Sequence, residues 1–279
     1  MTLVCHRREG PRLKLFISAD IEGTCGICHW DETEKGRDLY LHFAAQMSRE
    51  VAAACQGAID AGWNEILVKD AHDSARNIDP NQLPQNVRIF RGWGADPLCM
   101  MAGLDPSFDG VVFTGYHSGV GSDRNPLAHT MNTRAFSLTI NGEPASELYI
   151  NCLIASYLGV PVYLVAGDRG LCEWMQAKNP NTLTVPVVEG FGGGSISPHP
   201  EAAVRMIREA VAGALKMPRE GFLFPMPDSV EMAVSFREHQ QARKGGFYPG
   251  AKKIDARTVS FESREFMDVL RFMMFVVNG

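Results

Sequence analysis

A short apolar run, Leu13-Lys14-Leu15-Phe16-Ile17, empties directly into the acidic turn Ser18-Ala19-Asp20-Ile21-Glu22-Gly23. No other segment constrains the fold as strongly. The run has the length and composition of a buried strand. Residues i and i+2 of a continuing strand point to one face, so Asp20 and Glu22 can reach a single site. Two carboxylates at the end of a buried strand are costly unless positive charge lies between them. Three histidines stand in comparable settings: His72 in Lys69-Asp70-Ala71-His72-Asp73, His117 in Thr114-Gly115-Tyr116-His117, and His129 in Ala128-His129-Thr130. Carboxylates and imidazoles at strand ends are the donors that a hard-to-borderline divalent metal takes.

Strands and helices alternate along the chain. Phe43, Met47, Val51, Ala54, Cys55 and Ala58 recur at helical spacing and predict a helix from about 39 to 61, stopped by Gly62. Strands are expected at 66–68, 87–90, 111–114, 136–140 and 162–166, with Asn141-Gly142 as a hairpin turn and a helix over about 145–158. Such alternation predicts an α/β fold with a mostly parallel sheet flanked by helices. Ligands of such sheets collect beyond the carboxyl ends of the strands, where the acidic turn, His72 and His117 all fall. Asp70, two residues before His72, repeats the Asp20–Glu22 spacing.

Beyond Gly190 the texture changes. Gly192-Gly193-Gly194-Ser195 reads as a flexible joint and Ser197-Pro198 as the start of a helix to about 215. Pro218, Pro225 and Pro227 mark a connector to strands at 230–236 and 258–261, and a helix from 263 to about 277 follows. The expected division is a loose extension over 1–12, an α/β metal-site domain over 13–190, and a smaller α+β lobe over 191–279.

Composition narrows the function classes. A net charge of -5 with scattered Lys and Arg leaves no electrostatic footprint for nucleic acid. No apolar stretch approaches the roughly 20 residues that span a bilayer, and no signal-peptide pattern opens the chain, so a cytoplasmic protein is expected. Seven cysteines without an export signal read as reduced thiols, with Cys55 and Cys152 on apolar helix faces. Cys25-Gly26-Ile27-Cys28-His29 matches a C-x-x-C-H pattern. Haem attachment would require export, a zinc knuckle would need a second pair, and a thioredoxin-like motif would open a helix, so the pair reads as structural. His6, His29, His42, His199 and His239 read as surface or core residues. Glu147, near a helix start, by position alone complements the helix dipole.

The ordered set Ser18-Ala19-Asp20-Ile21-Glu22-Gly23, Asp70-Ala71-His72, Gly115-Tyr116-His117, Ala128-His129-Thr130-Met131 and Ser146-Glu147-Leu148 resembles the M55 zinc peptidases, the D-aminopeptidase family associated with dipeptide-transport operons. The resemblance runs from about Leu13 to the C-terminus and is strongest before Asp168. It implies a dinuclear zinc site, for which manganese or cobalt would also fit. Asp20, Glu22, His72, His117 and Glu147 would be the ligands and Asp20 the bridge. It implies that His129 is catalytic, as base or nucleophile, and that the chain assembles into a ring-like homo-oligomer. The implied reaction removes N-terminal D-residues, notably D-alanine, from short peptides through a metal-activated water. Three other readings stand beside it: an amidase or L-specific peptidase on the same scaffold, a peptide-binding transport-associated protein with a vestigial metal site, and a redox protein using Cys25 and Cys28. Residues 1–12 and the Cys25–His29 loop depart from the family pattern.

Overall fold

Leu15, Phe16 and Ile17 are all fully buried, as a strand covered on both faces requires. The computed structural model describes residues 13–279; the expected N-terminal extension, with Cys5 and His6, lies outside the described residues. In chain order the strands are β1 (Lys14–Ala19), β2 (Glu65–Asp70), β3 (Val87–Phe90), β4 (Gly110–Tyr116), β5 (Ala135–Ile140), β6 (Glu143–Pro144), β7 (Val162–Asp168), β8 (Leu183–Phe191), β9 (Gly194–Ile196), β10 (Val230–Phe236), β11 (Lys252–Lys253) and β12 (Thr258–Ser263). The helices are α1 (Tyr40–Asp60), α2 (Glu147–Tyr157), α3 (Arg169–Lys178), α4 (Pro200–Ala214), α5 (His239–Gly245) and α6 (Phe266–Phe272).

Seven strands form one sheet in the order β3-β2-β1-β4-β7-β8-β9. All its pairings are parallel except the β8–β9 hairpin. From β1 the chain builds outward through β2 and β3, then returns to the other side of β1 to lay down β4. That reversal opens a crevice at the carboxyl ends of β1 and β4, the place where open α/β sheets bind ligands.

Each face of the sheet has its own apolar layer. Met47, Val51, Ala54 and Cys55 of α1 and Ile207 and Val211 of α4 cluster with Leu15, Ile17 and Val112. Gly57 lets the two helices approach: a Cβ there would meet the Arg208 carbonyl. On the other face Leu148, Cys152 and Leu153 of α2 and Leu171 and Met175 of α3 join Phe16, Val111 and Phe113, and this cluster continues into a second sheet. That sheet is antiparallel, ordered β11-β12-β10-β5-β6. Along β10 Val230, Met232, Val234 and Phe236 are buried and alternate with half-buried residues, so only one face is packed. Both edges, β6 and β11, are two-residue strands.

The turn expected at Asn141-Gly142 is present, with φ of 50° and 81° at the two residues, as a two-residue hairpin of this hand requires. The expected flexible joint at 192–194 is instead a tight turn, because Phe191 pairs with Gly194 to close the β8–β9 hairpin. The following helix starts at Pro200, not at Ser197-Pro198, and His199 caps it by accepting from Glu201 N. Among the described residues no helix is long and apolar enough to cross a membrane.

Candidate metal centre

The acidic turn leaves β1 without leaving the sheet. Asp20 N donates to Thr114 O (2.9 Å) and Gly23 N to Gly115 O (2.8 Å), so the turn continues to pair with β4. Glycine is required on both sides. A Cβ at Gly23 would overlap the Tyr116 carbonyl, and one at Gly115, whose φ is +68°, would overlap the Asp20 carbonyl. Asp20 and Glu22 are thereby buried beside the residues that end β2 and β4. His117 directly follows β4, and His72 follows β2 after Ala71, whose N–H donates to Ala19 O (2.8 Å). Glu147 comes from the opposite direction as the first residue of α2, behind a Ser146 cap that accepts from Tyr149 N.

The five residues expected as ligands converge. His72 Nδ1 lies 3.3 Å from Asp20 Oδ1 and 3.1 Å from Glu22 Oε2. His117 Nε2 lies 3.5 Å from Asp20 Oδ2, 4.0 Å from Glu22 Oε2 and 3.4 Å from Glu147 Oε2. Asp20 therefore belongs to two metal-sized clusters, Asp20–Glu22–His72 and Asp20–His117–Glu147. One of its oxygens serves each, the disposition of a bridging carboxylate. His129 Nε2 sits 3.8 Å from Glu147 Oε1 and groups with Glu22 and His117.

Each imidazole is oriented by its other nitrogen. His72 Nε2 donates to Thr33 O (3.0 Å), His117 Nδ1 to Ser118 O (3.0 Å) and His129 Nδ1 to Leu127 O (2.9 Å). A carbonyl can only accept, so in the neutral imidazole each contact fixes the tautomer and turns the lone pair of the other nitrogen inward, the arrangement metal-ligating histidines adopt. Two inward atoms, Glu22 Oε2 and His117 Nε2, are fully buried without a hydrogen-bond partner. Such orphans are rare in native interiors. They fit a cation between them, and the oxygen and imidazole donors suit zinc, manganese or cobalt.

The electrostatics agree. Burial pushes the Asp20 carboxyl well above its ordinary range, and Glu22 adds to the effect. Burial also opposes charge on Glu22, yet His72 and His117 hold its carboxyl well below that range. Burial likewise opposes protonation of the two histidines, but Glu22 beside His72 and Glu147 beside His117 raise both well above the usual imidazole value. Acid and imidazole each favour the other's charged form, and a divalent cation competes with protons for the same atoms.

Asp70 shares the spacing of the expected ligands, but its carboxylate is engaged elsewhere. Its carboxylate accepts from Asn77 N (2.6 Å), Ile78 N (2.8 Å) and Asn77 Nδ2 (2.8 Å), while Asn77 Nδ2 also donates to His72 O. It pins the loop that carries His72. Asp168 does the same for His117: it caps α3 through Leu171 N and accepts from Ser118 N and Ser118 Oγ. Its place between a strand end and a helix start is a legible cap signal. The carbonyls of Thr33, Ser118 and Leu127 had no sequence signal, since any residue supplies one. Burial raises the Cys25 thiol to about 11, and burial and Glu32 push Cys28 up, so both favour the unreactive thiol over the thiolate that redox chemistry needs.

A cavity of about 230 Å³ opens onto the centre, lined by Asp20, His72, Asp73, His129 and Glu147 and by apolar Trp93, Met100 and Met131. The M55 D-aminopeptidase pattern matches residues 13–275. The chain belongs to that family. It is 28% identical over 264 residues to a D-aminopeptidase of Bacillus subtilis (strain 168), covering 94% of this chain and 96% of that protein. Among solved structures it is similar to the Zn-dependent D-aminopeptidase DppA from Bacillus subtilis, described as a self-compartmentalizing protease. The TM-score is 0.89 at 26% identity, over 95% of this chain and 97% of that one. Family membership makes the chain a metallopeptidase, and the two-sheet α/β architecture is the one its relative adopts.

Proposed function

We propose that this M55 peptidase is a di-zinc aminopeptidase that removes N-terminal D-residues, such as D-alanine, from short peptides. The observation that carries the reading is Asp20 presenting one oxygen to His72 and the other to His117. Asp20, Glu22, His72, His117 and Glu147 would hold the ions, with Asp20 between them. Zinc bound by these donors supplies Lewis acidity and lowers the pKa of water.

The remaining work falls to the chain. His129, its Nδ1–H committed to Leu127 O, has Nε2 free to take a proton from attacking water and return it to the leaving amine. Trp93, Met100 and Met131 wall the cavity with apolar surface and exclude bulk water, which strengthens the charges inside. Asp73 lies exposed on the same cavity, where a carboxylate can meet the free ammonium that distinguishes a peptide N-terminus from an internal amide. That placement favours an aminopeptidase over an amidase. The complete donor set favours an enzyme over a binding protein with a vestigial site. The relative's description as self-compartmentalizing supports a homo-oligomer, ring-like in our reading. The six described cysteines are all unpaired, which supports the reducing cytoplasm as its compartment.

The deciding experiment is hydrolysis of matched D-Ala and L-Ala p-nitroanilides after chelation and after zinc is restored. Zinc-restored cleavage of the D-substrate alone is expected; cleavage of neither by zinc-loaded protein sinks the reading. Because His129 Nε2 also groups with Glu22 and His117, a ligand role for it is the competing assignment. His129→Ala is expected to lose turnover by about 10²- to 10⁴-fold with zinc content unchanged, and loss of zinc would make His129 a ligand.

A further inference from the structure

The turn that follows the Cys25–His29 segment braces the site. Glu32 Oε2 accepts from Cys28 N (2.7 Å) and His29 N (2.9 Å), while His29 Nδ1 accepts from Asp31 N (3.2 Å). This reciprocal capping closes a single helical turn over Trp30–Glu32, with Glu32 itself buried. The C-x-x-C-H segment thus feeds its backbone N–H groups into Glu32, the Cys28 thiol adding a long contact to the same carboxylate (3.9 Å), and what it builds is a capped turn beside the metal centre.

Two groups of this turn reach the site. Thr33 O accepts the hydrogen bond that orients His72. The Trp30 indole lies against the His129 ring, centroids 5.3 Å apart and planes inclined at 59°. His129 also stacks on His117, centroids 4.5 Å apart and planes within 19°. With Nδ1 held by Leu127 O, the imidazole is fixed by two rings and one hydrogen bond, and Nε2 is the atom left to act.

We propose that Trp30 is a positioning residue for His129. Its indole sets the plane of the imidazole and hence the direction of Nε2, so that one capped turn aligns a metal ligand through Thr33 and the proton-transfer group through Trp30. The inference rests on the catalytic reading of His129. An indole fits the role because a large rigid ring restricts its neighbour over a wide area with few rotamers of its own. Displacing a reacting group by about 1 Å costs on the order of 100-fold in rate.

The test is steady-state kinetics of zinc-loaded Trp30→Ala and Trp30→Phe on the D-Ala p-nitroanilide, with zinc content and thermal midpoint measured on the same samples. Trp30→Ala is expected to lower kcat by about 10- to 100-fold while KM and zinc content stay near wild type. Trp30→Phe, which keeps a ring, is expected to restore most of kcat. Wild-type kcat in Trp30→Ala, or a Trp30→Phe as slow as Trp30→Ala at normal zinc content, overturns the brace. His129→Ala measured in parallel keeps the two readings apart. Turnover lost in His129→Ala but intact in Trp30→Ala overturns the brace alone, whereas turnover intact in His129→Ala overturns the catalytic reading beneath it.

Discussion

Gly115 and Asp20 approach so closely that a methyl group on Gly115 would overlap the Asp20 carbonyl oxygen. The contact is made with Gly115 at a φ of +68°, a conformation that costs a residue with a Cβ about 1–2 kcal/mol before any clash. Gly115→Ala should therefore push the acidic turn away from β4 and spread the ligand set. We expect a loss of about 2–4 kcal/mol in stability together with loss of bound zinc, read by thermal unfolding and elemental analysis of the same preparation. A variant with wild-type zinc content would show that the ligands do not depend on this approach.

Asp20 and His72 should differ in what their removal does to the metal count. His72 contacts one of the two carboxylate-rich clusters, whereas Asp20 contributes to both. His72→Ala is expected to release one ion and Asp20→Ala both, measured by elemental analysis after desalting. Equal losses from the two variants would remove Asp20 from the bridging position.

Asp73 adopts a φ of +41°, with its carbonyl held by Trp93 Nε1 at 2.7 Å. Strained backbone of this kind survives where its surroundings over-determine it, often at ligand sites. Loss of a single charged partner to a substrate ammonium is worth about 1.5–3 kcal/mol. Asp73→Asn should accordingly raise KM for unblocked aminoacyl substrates about 10- to 100-fold. An unchanged KM would place the ammonium elsewhere.

Glu50, which holds the loop after the acidic turn through Cys25 N, offers a pH signature of its own. Its carboxylate accepts from Cys25 N (3.0 Å) and Gln46 Nε2 (2.9 Å), and its other oxygen is buried without a partner. Burial raises its pKa from 4.5 to about 7. The folded chain therefore holds this proton more tightly than the unfolded chain. Its contribution is fully present at pH below about 4.5, fades as pH rises toward about 7, and is absent above. Glu50→Gln should flatten the stability profile across that window, by an amount on the order of a few kcal/mol. Parallel unfolding curves for both proteins between pH 5 and pH 8 would show instead that Glu50 titrates normally.

The parts of the fold readable from sequence are those where local chemistry and tertiary demand coincide. The run into Asp20 and Glu22 announced a buried strand because β1 is covered on both faces, and Asn141-Gly142 announced its turn because that backbone excludes most other residues. The glycines at 192–194 misled because glycine serves a mobile linker and a tight hairpin turn equally well. At the centre, Asp20, Glu22, His72 and His117 were visible as strand-end donors. Glu147 was masked by its position at a helix start, where a carboxylate already has a reason to be. Asp70 repeats the spacing of the acidic pair two residues before His72, yet its oxygens are taken by Asn77 and Ile78. The carbonyls that orient the imidazoles belong to the backbone and are invisible to any reading of side chains.

The five-stranded sheet ends on both sides in strands of two residues, Glu143-Pro144 and Lys252-Lys253. A proline and paired lysines deny an incoming strand the row of free backbone groups it would need. Each border of that sheet therefore presents at most two residues to a neighbour. At that sheet, strand addition would offer an approaching copy almost no backbone to hold, whereas the side chains on its outer face remain available for contact.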